Sequence, residues 1–362
     1  MIRILLVHPR PTRGGFTAVA SQAAELCRRG GFEVVVASAP GPRLDELPAA
    51  CSVELLDHPL TSLRGMWELR RIAAHVRPDI VHLHGRQAGF IGRLILQANS
   101  RRHVLYTPHV MLGVGQSFAR RFGGDLAELL LLRRTTAVLC VSHHQMAEWS
   151  MRDPTTRIRY LPNIIWPHGL TREHIAPTNG LDVTDWSRTI LVPSGYDPVK
   201  RLEVVIEAMA LLPEPRPTVA IVGAVDRADY RDRIVSLADG LGVRRNVQFG
   251  ENLPNIRAAL RDASLVVLPS FSESGLPIVG LEAIAEGARV AWSWIAGHVE
   301  LFGDVGAPFS TASELATILV GDHTEASVAC RQSWLAEHHR RAQQIRSEYW
   351  NELEATFHSG QR

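Results

Sequence analysis

Leu265-Val266-Val267-Leu268-Pro269-Ser270-Phe271-Ser272-Glu273-Ser274-Gly275-Leu276-Pro277-Ile278-Val279-Gly280-Leu281-Glu282-Ala283 reads as one strand, one loop and one helix. The first four residues are a continuous apolar run, as expected of a strand buried on both faces of a parallel sheet. Helical spacing takes over from 278 to 286. Ser274 or Gly275 is placed to cap that helix, with Pro277 in its first turn. Such a helix start leaves backbone N–H groups free for an anion. Glu273 lies just before it and Glu282 lies within it. A diphosphate suits the amides, and sugar or ribose hydroxyls suit the carboxylates. The same residues also fit a capped, partly buried helix with solvated acids.

The same alternation runs outward in both directions. In the first half, strands are expected at 2–7, 33–37, 79–83, 103–107, 137–141 and 158–161. Helices are expected at 17–29, 63–76, 88–98 and 125–134. From 166 to 187 the period is lost among Pro167, Gly169, Pro177, Asn179 and Gly180, which reads as a linker. The rhythm then restarts, with strands at 189–192, 218–222, 247–249, 265–268 and 289–292. Helices are expected at 201–212, 230–241, 255–261 and 278–286, and residues 332–357 are mostly helical. Alternating βα units imply parallel, doubly wound sheets. The fold class is therefore α/β, with two tandem Rossmann-like domains whose carboxyl edges can face each other across a cleft. The expected division is 1–170, a linker at 171–188, a second domain at 189–335 and a C-terminal helix at 336–362 that packs back toward the first domain.

Composition is that of an ordinary globular protein: 362 residues, 46% hydrophobic and 21% charged. No apolar run reaches the roughly 18 residues of a membrane span. The opening run 2–7 meets Pro9 and Pro11 and reads as a first strand rather than a signal peptide. Cys27, Cys51, Cys140 and Cys330 show no metal-type spacing and are expected to be reduced core residues in a cytoplasmic chain. Net charge is only +2, yet residues 1–170 hold 21 Arg against 12 Asp and Glu, while the remainder holds 18 Lys and Arg against 25 acids. The basic half carries Arg70-Arg71, Arg101-Arg102, Arg120-Arg121 and Arg133-Arg134. That face fits an anionic lipid surface, an acidic substrate or plain solvation.

Lys200 is the only lysine in the chain. It sits in Gly195-Tyr196-Asp197-Pro198-Val199-Lys200-Arg201-Leu202, before an amphipathic helix. A lysine is a compact point charge and an arginine a planar fork, so a lysine kept amid arginines is a candidate phosphate ligand. Gly14 and Gly15, after the first strand, allow close backbone approach to a ligand. No GxGxxG is present. His82 and His84 are taken to point to opposite faces of the strand at 79–83. With His143 and His144, each is expected to be a polar site or surface residue, and no essential metal is expected.

The order of these pieces resembles the GT-B retaining glycosyltransferases of family 4. In the second half the resemblance is carried by Gly195 to Ala208, Val222-Gly223, Leu241-Gly242-Val243, Val247-Gln248-Phe249-Gly250, the quoted segment and Gly297-His298-Val299-Glu300. In the first half it is carried by Gly14-Gly15, Pro78-Asp79-Ile80-Val81-His82-Leu83-His84, Thr107-Pro108-His109, Val141-Ser142 and Pro162-Asn163. It implies that Lys200 binds a donor diphosphate with Arg201 assisting, and that the amides of Gly275 and Leu276 hold the phosphate and transferred sugar. Glu273 would sit by the sugar, Glu282 by the ribose and His109 by the sugar across the cleft. Gly14 and Gly15 would line the donor phosphates and the acceptor entry.

Two positions depart from the family pattern. Eight residues separate Glu273 from Glu282 where the family has seven, so Ser274 competes for the first acidic position. Tyr196 stands where the family carries arginine, and Lys200 is one residue closer to the glycine than usual.

The resemblance implies a front-face transfer, with the leaving diphosphate accepting the acceptor's proton. No cofactor is expected beyond the nucleotide-sugar donor as substrate, a UDP-sugar ahead of a GDP-sugar. The acceptor is a sugar, a lipid-linked glycan or a small molecule, and nucleic acid is not an expected partner. A cytoplasmic enzyme, peripheral on the inner membrane face through its basic half, is the expected setting. A GT-B sugar-nucleotide epimerase and a non-catalytic nucleotide-sugar-binding relative are the alternatives.

Overall fold

The computed structural model describes residues 1–11, 15–96, 102–109, 127–152, 157–165, 181–183, 185–251, 253, 256–273, 275–303, 305–321 and 328–359. Gly14, Arg101, Arg120, Arg121, Ser274 and most of the expected linker lie outside the described residues. The chain forms two compact units. The first comprises Met1–Trp166, Ser274–Ile278 and His339–Arg362; the second comprises Pro167–Glu273 and Val279–His338.

The first unit is built on strands β1 (Ile2–Val7), β2 (Phe32–Ser38), β3 (Ser52–Leu55), β4 (Ile80–His84), β5 (His103–Thr107), β6 (Ala137–Cys140) and β7 (Ile158–Tyr160). They form a sheet in the order β3-β2-β1-β4-β5-β6-β7, parallel at every pairing. Apolar side chains on both faces demand helices on both faces. On one side lie α2 (Leu63–Val76), α3 (Gly85–Ile95), α4 (described part 127–132) and α5 (His143–Arg152). On the other lie α1 (Gly15–Arg29) and the carboxyl half of α12 (Val328–Ser359).

α2 keeps its expected limits because both ends are marked. The Ser62 side chain accepts from Gly65 N, and Arg77 closes the helix in the left-handed region at φ 48° before Pro78. α12 completes the first core: Trp350 and Leu353 pack with Ile4, Leu6 and Phe32. Arg346 pairs with Glu25, almost wholly buried, and donates to the Pro162 carbonyl at 2.9 Å.

The second unit has strands β8 (Thr189–Pro193), β9 (Thr218–Val222), β10 (Val247–Gly250), β11 (Leu265–Leu268), β12 (Val290–Ser293) and β13 (Ala307–Phe309). Their order is β10-β9-β8-β11-β12-β13, again parallel throughout. The flanking helices are α6 (Glu203–Ala210), α7 (Ala228–Gly240), α8 (Ile256–Asp262), α9 (Ile278–Ala285), α10 (Ala296–Phe302) and α11 (Ala312–Val320).

Several elements differ from expectation. β3 and β13 are edge strands of four and three residues, too short and too exposed for a clear pattern. α5 buries only Gln145 and Trp149, and α10 has seven residues, so neither shows a long apolar stripe. The helix expected from 201 begins at Glu203, because Arg201 adopts a left-handed conformation at φ 49°. α9 begins at Ile278, so Pro277 precedes the helix rather than lying in its first turn. Cys140 is buried, whereas Cys27 and Cys51 are only half-buried.

Candidate active site

Ligands of doubly wound sheets sit beyond the carboxyl ends of the strands. In the second unit, the chain leaving β8 makes a 3₁₀ turn at Pro198–Lys200. Asp197 accepts from Val199 N at 2.9 Å and Pro198 fixes its own φ, so the turn is locally determined. The chain leaving β11 is tied to that turn, since Phe271 N donates to Val199 O at 3.0 Å. Two residues later Glu273 meets Lys200, whose Nζ donates to Glu273 Oε1. Ser270 Oγ donates to the same oxygen at 2.8 Å. Burial by itself would push the Glu273 carboxyl up. The charge and hydrogen bond of Lys200, with smaller help from the Ser270 hydrogen bond, outweigh it and hold the carboxyl below its ordinary value.

Three residues of this cluster have no assigned role in the sequence reading: Ser270, Ser293 and His298. Ser293 Oγ donates to the Ser270 carbonyl, linking the ends of β11 and β12. His298 Nδ1 lies 3.0 Å from the Ser293 carbonyl and 3.1 Å from its hydroxyl. A carbonyl only accepts, so Nδ1 carries the proton and Nε2 is a bare acceptor. Burial pushes His298 down to about 4, against the opposing pull of Glu273 and the Ser293 bond, so the ring is neutral at pH 7. Ser270 and His298 both lie inside the family-like motifs, but the Ser293–Ser270 bond that links them crosses between strands and leaves no trace in spacing.

The remaining candidates are placed differently. Arg201 donates to the Ser310 carbonyl at 3.1 Å rather than joining Lys200 and Glu273. Tyr196 is fully buried, with its hydroxyl 3.1 Å from the carbonyls of both Ile221 and Gly250, and is a core residue. Glu282 lies in α9 and is nearly buried. Gly275 and Leu276 group with the first unit, where Asn163 Nδ2 donates to Leu276 O at 3.5 Å. A Cβ on Gly275 would meet Val141 Cγ2 at 2.4 Å, so that position requires glycine.

In the first unit, His82 and His84 do not point to opposite faces. Side chains two residues apart in a strand share a face, and these rings lie 3.9 Å apart. Neither is a surface residue, since both are buried. Gln22 Nε2 lies 2.7 Å from His82 Nδ1, and His82 Nε2 lies 2.8 Å from Thr107 Oγ1. His84 Nδ1 lies 3.1 Å from His109 Nε2, and their rings stack at 5.3 Å. His109 is held at φ 57°. A Cβ on Gly15 would sit 3.4 Å from His8 Nε2, so the head of α1 lies close to this group.

Burial drives all three rings toward neutrality. It pushes His109 down to about 4, and it lowers His82 and His84 well below the ordinary value with the help of neighbouring histidines and Arg346. Among the described residues, no group of three or more His, Cys, Asp and Glu is arranged to hold a metal ion.

Similar proteins agree with this layout. Anabaena HepE solved with UDP-glucose superposes at a TM-score of 0.75, with 18% identity over 98% of this chain and 100% of that one. Sucrose-phosphate synthase from Thermosynechococcus elongatus superposes at 0.72, with 20% identity over 99% and 100%. These likenesses, with the two parallel sheets, define the GT-B fold. A family model described as a glycosyl transferase 4-like domain matches residues 14–163, and one described as glycosyl transferases group 1 matches 182–313. The chain belongs to the family-4-type GT-B glycosyltransferases.

Among curated proteins, D-inositol 3-phosphate glycosyltransferase of Mycolicibacterium paratuberculosis is 36% identical over 28% of this chain and 23% of its own length. Lipopolysaccharide glucosyltransferase WaaG of Escherichia coli is 27% identical over 49% of this chain and 50% of its own. The chain thus spans half or less of the length of the curated relatives it matches.

Proposed function

We propose that this chain is a retaining glycosyltransferase acting on a nucleotide-diphosphate sugar, UDP-sugar first. The acceptor is a hydroxyl in polysaccharide, glycolipid or natural-product glycan assembly. The observation that carries this reading is the Lys200–Glu273 pair at the carboxyl edge of the second sheet. It sets a cation suited to a diphosphate beside a carboxylate suited to sugar hydroxyls. UDP and UDP-glucose in the HepE structures favour a UDP donor.

In the reaction, the bond from the sugar's anomeric carbon to the diphosphate oxygen breaks, and the acceptor oxygen bonds to that carbon on the same face. The acceptor's proton passes to the departing diphosphate. Lys200 stabilises charge on the leaving group, with Arg201 and the amides of Gly275 and Leu276 as further donors. Glu273 and His109 orient the sugar, Glu282 holds the ribose, and Gly14 and Gly15 lie along the phosphates.

The acceptor class favoured here is lipid-linked, at an anionic membrane. The outward face of α2 aligns Leu63 and Trp67, 84% and 63% exposed, with Ala74. Arg64 and Arg71 flank that line on one side and Arg70 and Arg77 on the other, with Arg71 5.4 Å from the Trp67 ring centroid. No acid shares this face, since Glu68 is buried against His58. An apolar strip edged by arginines suits an interfacial helix. No described helix is long and apolar enough to cross a membrane.

The test is thermal shift with UDP, GDP and their sugars, followed by turnover of whichever donor stabilises the chain. Hydrolysis or transfer with retention at the anomeric carbon supports the proposal. Isomerisation of the donor would replace it with an epimerase, and binding without turnover with a non-catalytic relative.

A further inference from the structure

The buried histidines of the first unit have a definite hydrogen-bond polarity. The Gln22 amide nitrogen can only donate, so His82 Nδ1 accepts and His82 Nε2–H donates to Thr107 Oγ1. His82 is thereby fixed as a neutral ring, and His84 lies against it at 3.9 Å between centroids. His84 uses Nδ1 toward His109, while its Nε2 is buried without a hydrogen-bond partner among the described residues.

Two proton arrangements satisfy the His84–His109 bond. If His84 carried its proton on Nε2, a buried N–H would be orphaned. If it carries the proton on Nδ1, only a lone pair is orphaned. Buried orphan N–H groups are the rarer and costlier case. The second arrangement makes His84 Nδ1–H the donor and His109 Nε2 the acceptor. The remaining proton of a neutral His109 then sits on Nδ1. A doubly protonated ring is disfavoured here, because burial penalises its charge and the Arg346 cation lies near His82 and His84.

We propose that His84 is a positioning residue: by donating from Nδ1 to His109 Nε2, it holds His109 as the Nδ1-protonated tautomer, so that His109 offers a hydrogen-bond donor to a substrate oxygen. This rests on the reading of His109 as a sugar contact, but the tautomer itself is a property of the free protein. A wrong tautomer would present a lone pair to an oxygen and repel it. One hydrogen bond of this kind corresponds to about tenfold in rate.

The experiment is ¹⁵N NMR of the full-length, ¹⁵N-histidine-labelled protein at pH 7.5, with His109→Gln and His84→Leu used to assign the two rings. The expected pattern is a protonated Nδ1 and a bare Nε2 for both His84 and His109. A protonated Nε2 on His109 in the wild-type protein overturns the proposal, whatever the variants do.

Two substitutions extend the test. His84→Leu removes the donor and is expected to shift His109 toward the other tautomer and lower kcat about tenfold. His84→Asn places an amide N–H where Nδ1–H was, and should restore the His109 pattern and most of kcat. An unchanged His109 tautomer in His84→Leu also overturns the idea. If the tautomers are as expected but the protein turns over no sugar nucleotide, the functional reading fails and the positioning role in the fold stands.

Discussion

Lys200 and Glu273, 73 residues apart in the chain, form an ion pair that joins the turn after β8 to the loop after β11. The only lysine is therefore committed to the acid that the motif spacing left in competition with Ser274. Lys200→Ala is expected to lower kcat/KM about 10²-fold with the donor identified by thermal shift, as for other groups that bind charge developing in a transition state. Lys200→Arg should recover only part of this, because a planar fork replaces a point charge. Steady-state kinetics decide it: a change under about twofold for the alanine variant removes Lys200 from the diphosphate site.

Tyr196 separates stability from activity. Tyr196→Phe deletes a buried hydroxyl shared between the Ile221 and Gly250 carbonyls, and should cost about 1 kcal/mol in urea unfolding. Kinetic constants should be unchanged. Tyr196→Arg, which restores the family's usual residue, puts an unpaired charge into a fully buried position near Arg231 and should cost at least about 3 kcal/mol. A stable, more active Tyr196→Arg protein would show that this position belongs to the site after all.

Acid should weaken the fold before carboxylates begin to titrate. His82, His84 and His109 have folded pKa values below the unfolded value of about 6.5. Above that pH both states are neutral and stability is flat. Below it the unfolded chain takes up protons that the folded chain refuses, so stability falls as pH drops. Each such histidine contributes a slope of up to about 1.4 kcal/mol per pH unit. Urea unfolding from pH 7.5 to 5 should show this loss, and His82→Asn should make it shallower by one histidine's share. An unchanged slope would mean that His82 is charged in the fold.

The α2 face predicts a salt-sensitive membrane interaction. The full chain should co-sediment with vesicles containing anionic lipid at low salt and be released as salt rises, with little binding to neutral vesicles. The pair Leu63→Ser and Trp67→Ser, both outward-facing, should abolish sedimentation while leaving turnover of a soluble acceptor intact. Equal binding by the double variant would move the contact elsewhere on the basic half.

Strand positions were legible wherever burial on both faces produced an unbroken apolar run, as in β1 and β11. α2 was legible to the residue because Ser62 and Pro78 bracket it. Arg201 was not, since nothing in its type announces a left-handed backbone, and the helix after it starts later than its apolar spacing suggested. The His82–His84 pair was misread through strand parity, although the sequence contained what was needed. The Ser270–Ser293 link could not be read at all, because it runs between neighbouring parallel strands whose order is a property of the sheet, and His298 joins it only through a local contact with Ser293. Lys200 was found by composition and Glu273 by motif, but only the Phe271–Val199 hydrogen bond explains why they meet.

The far end of α12 also bears on the order in which the chain matures. Trp350 and Leu353 belong to the same core as Ile4 and Leu6, so the first unit lacks part of its interior until residues 350–353 have been synthesised. Translation proceeds at about 5–20 residues per second, so Ile4 and Leu6 wait tens of seconds for Trp350 and Leu353. The middle of the chain can close first. A premature stop or a proteolytic nick ahead of Trp350 would therefore do its damage in the core around Ile4 and Leu6.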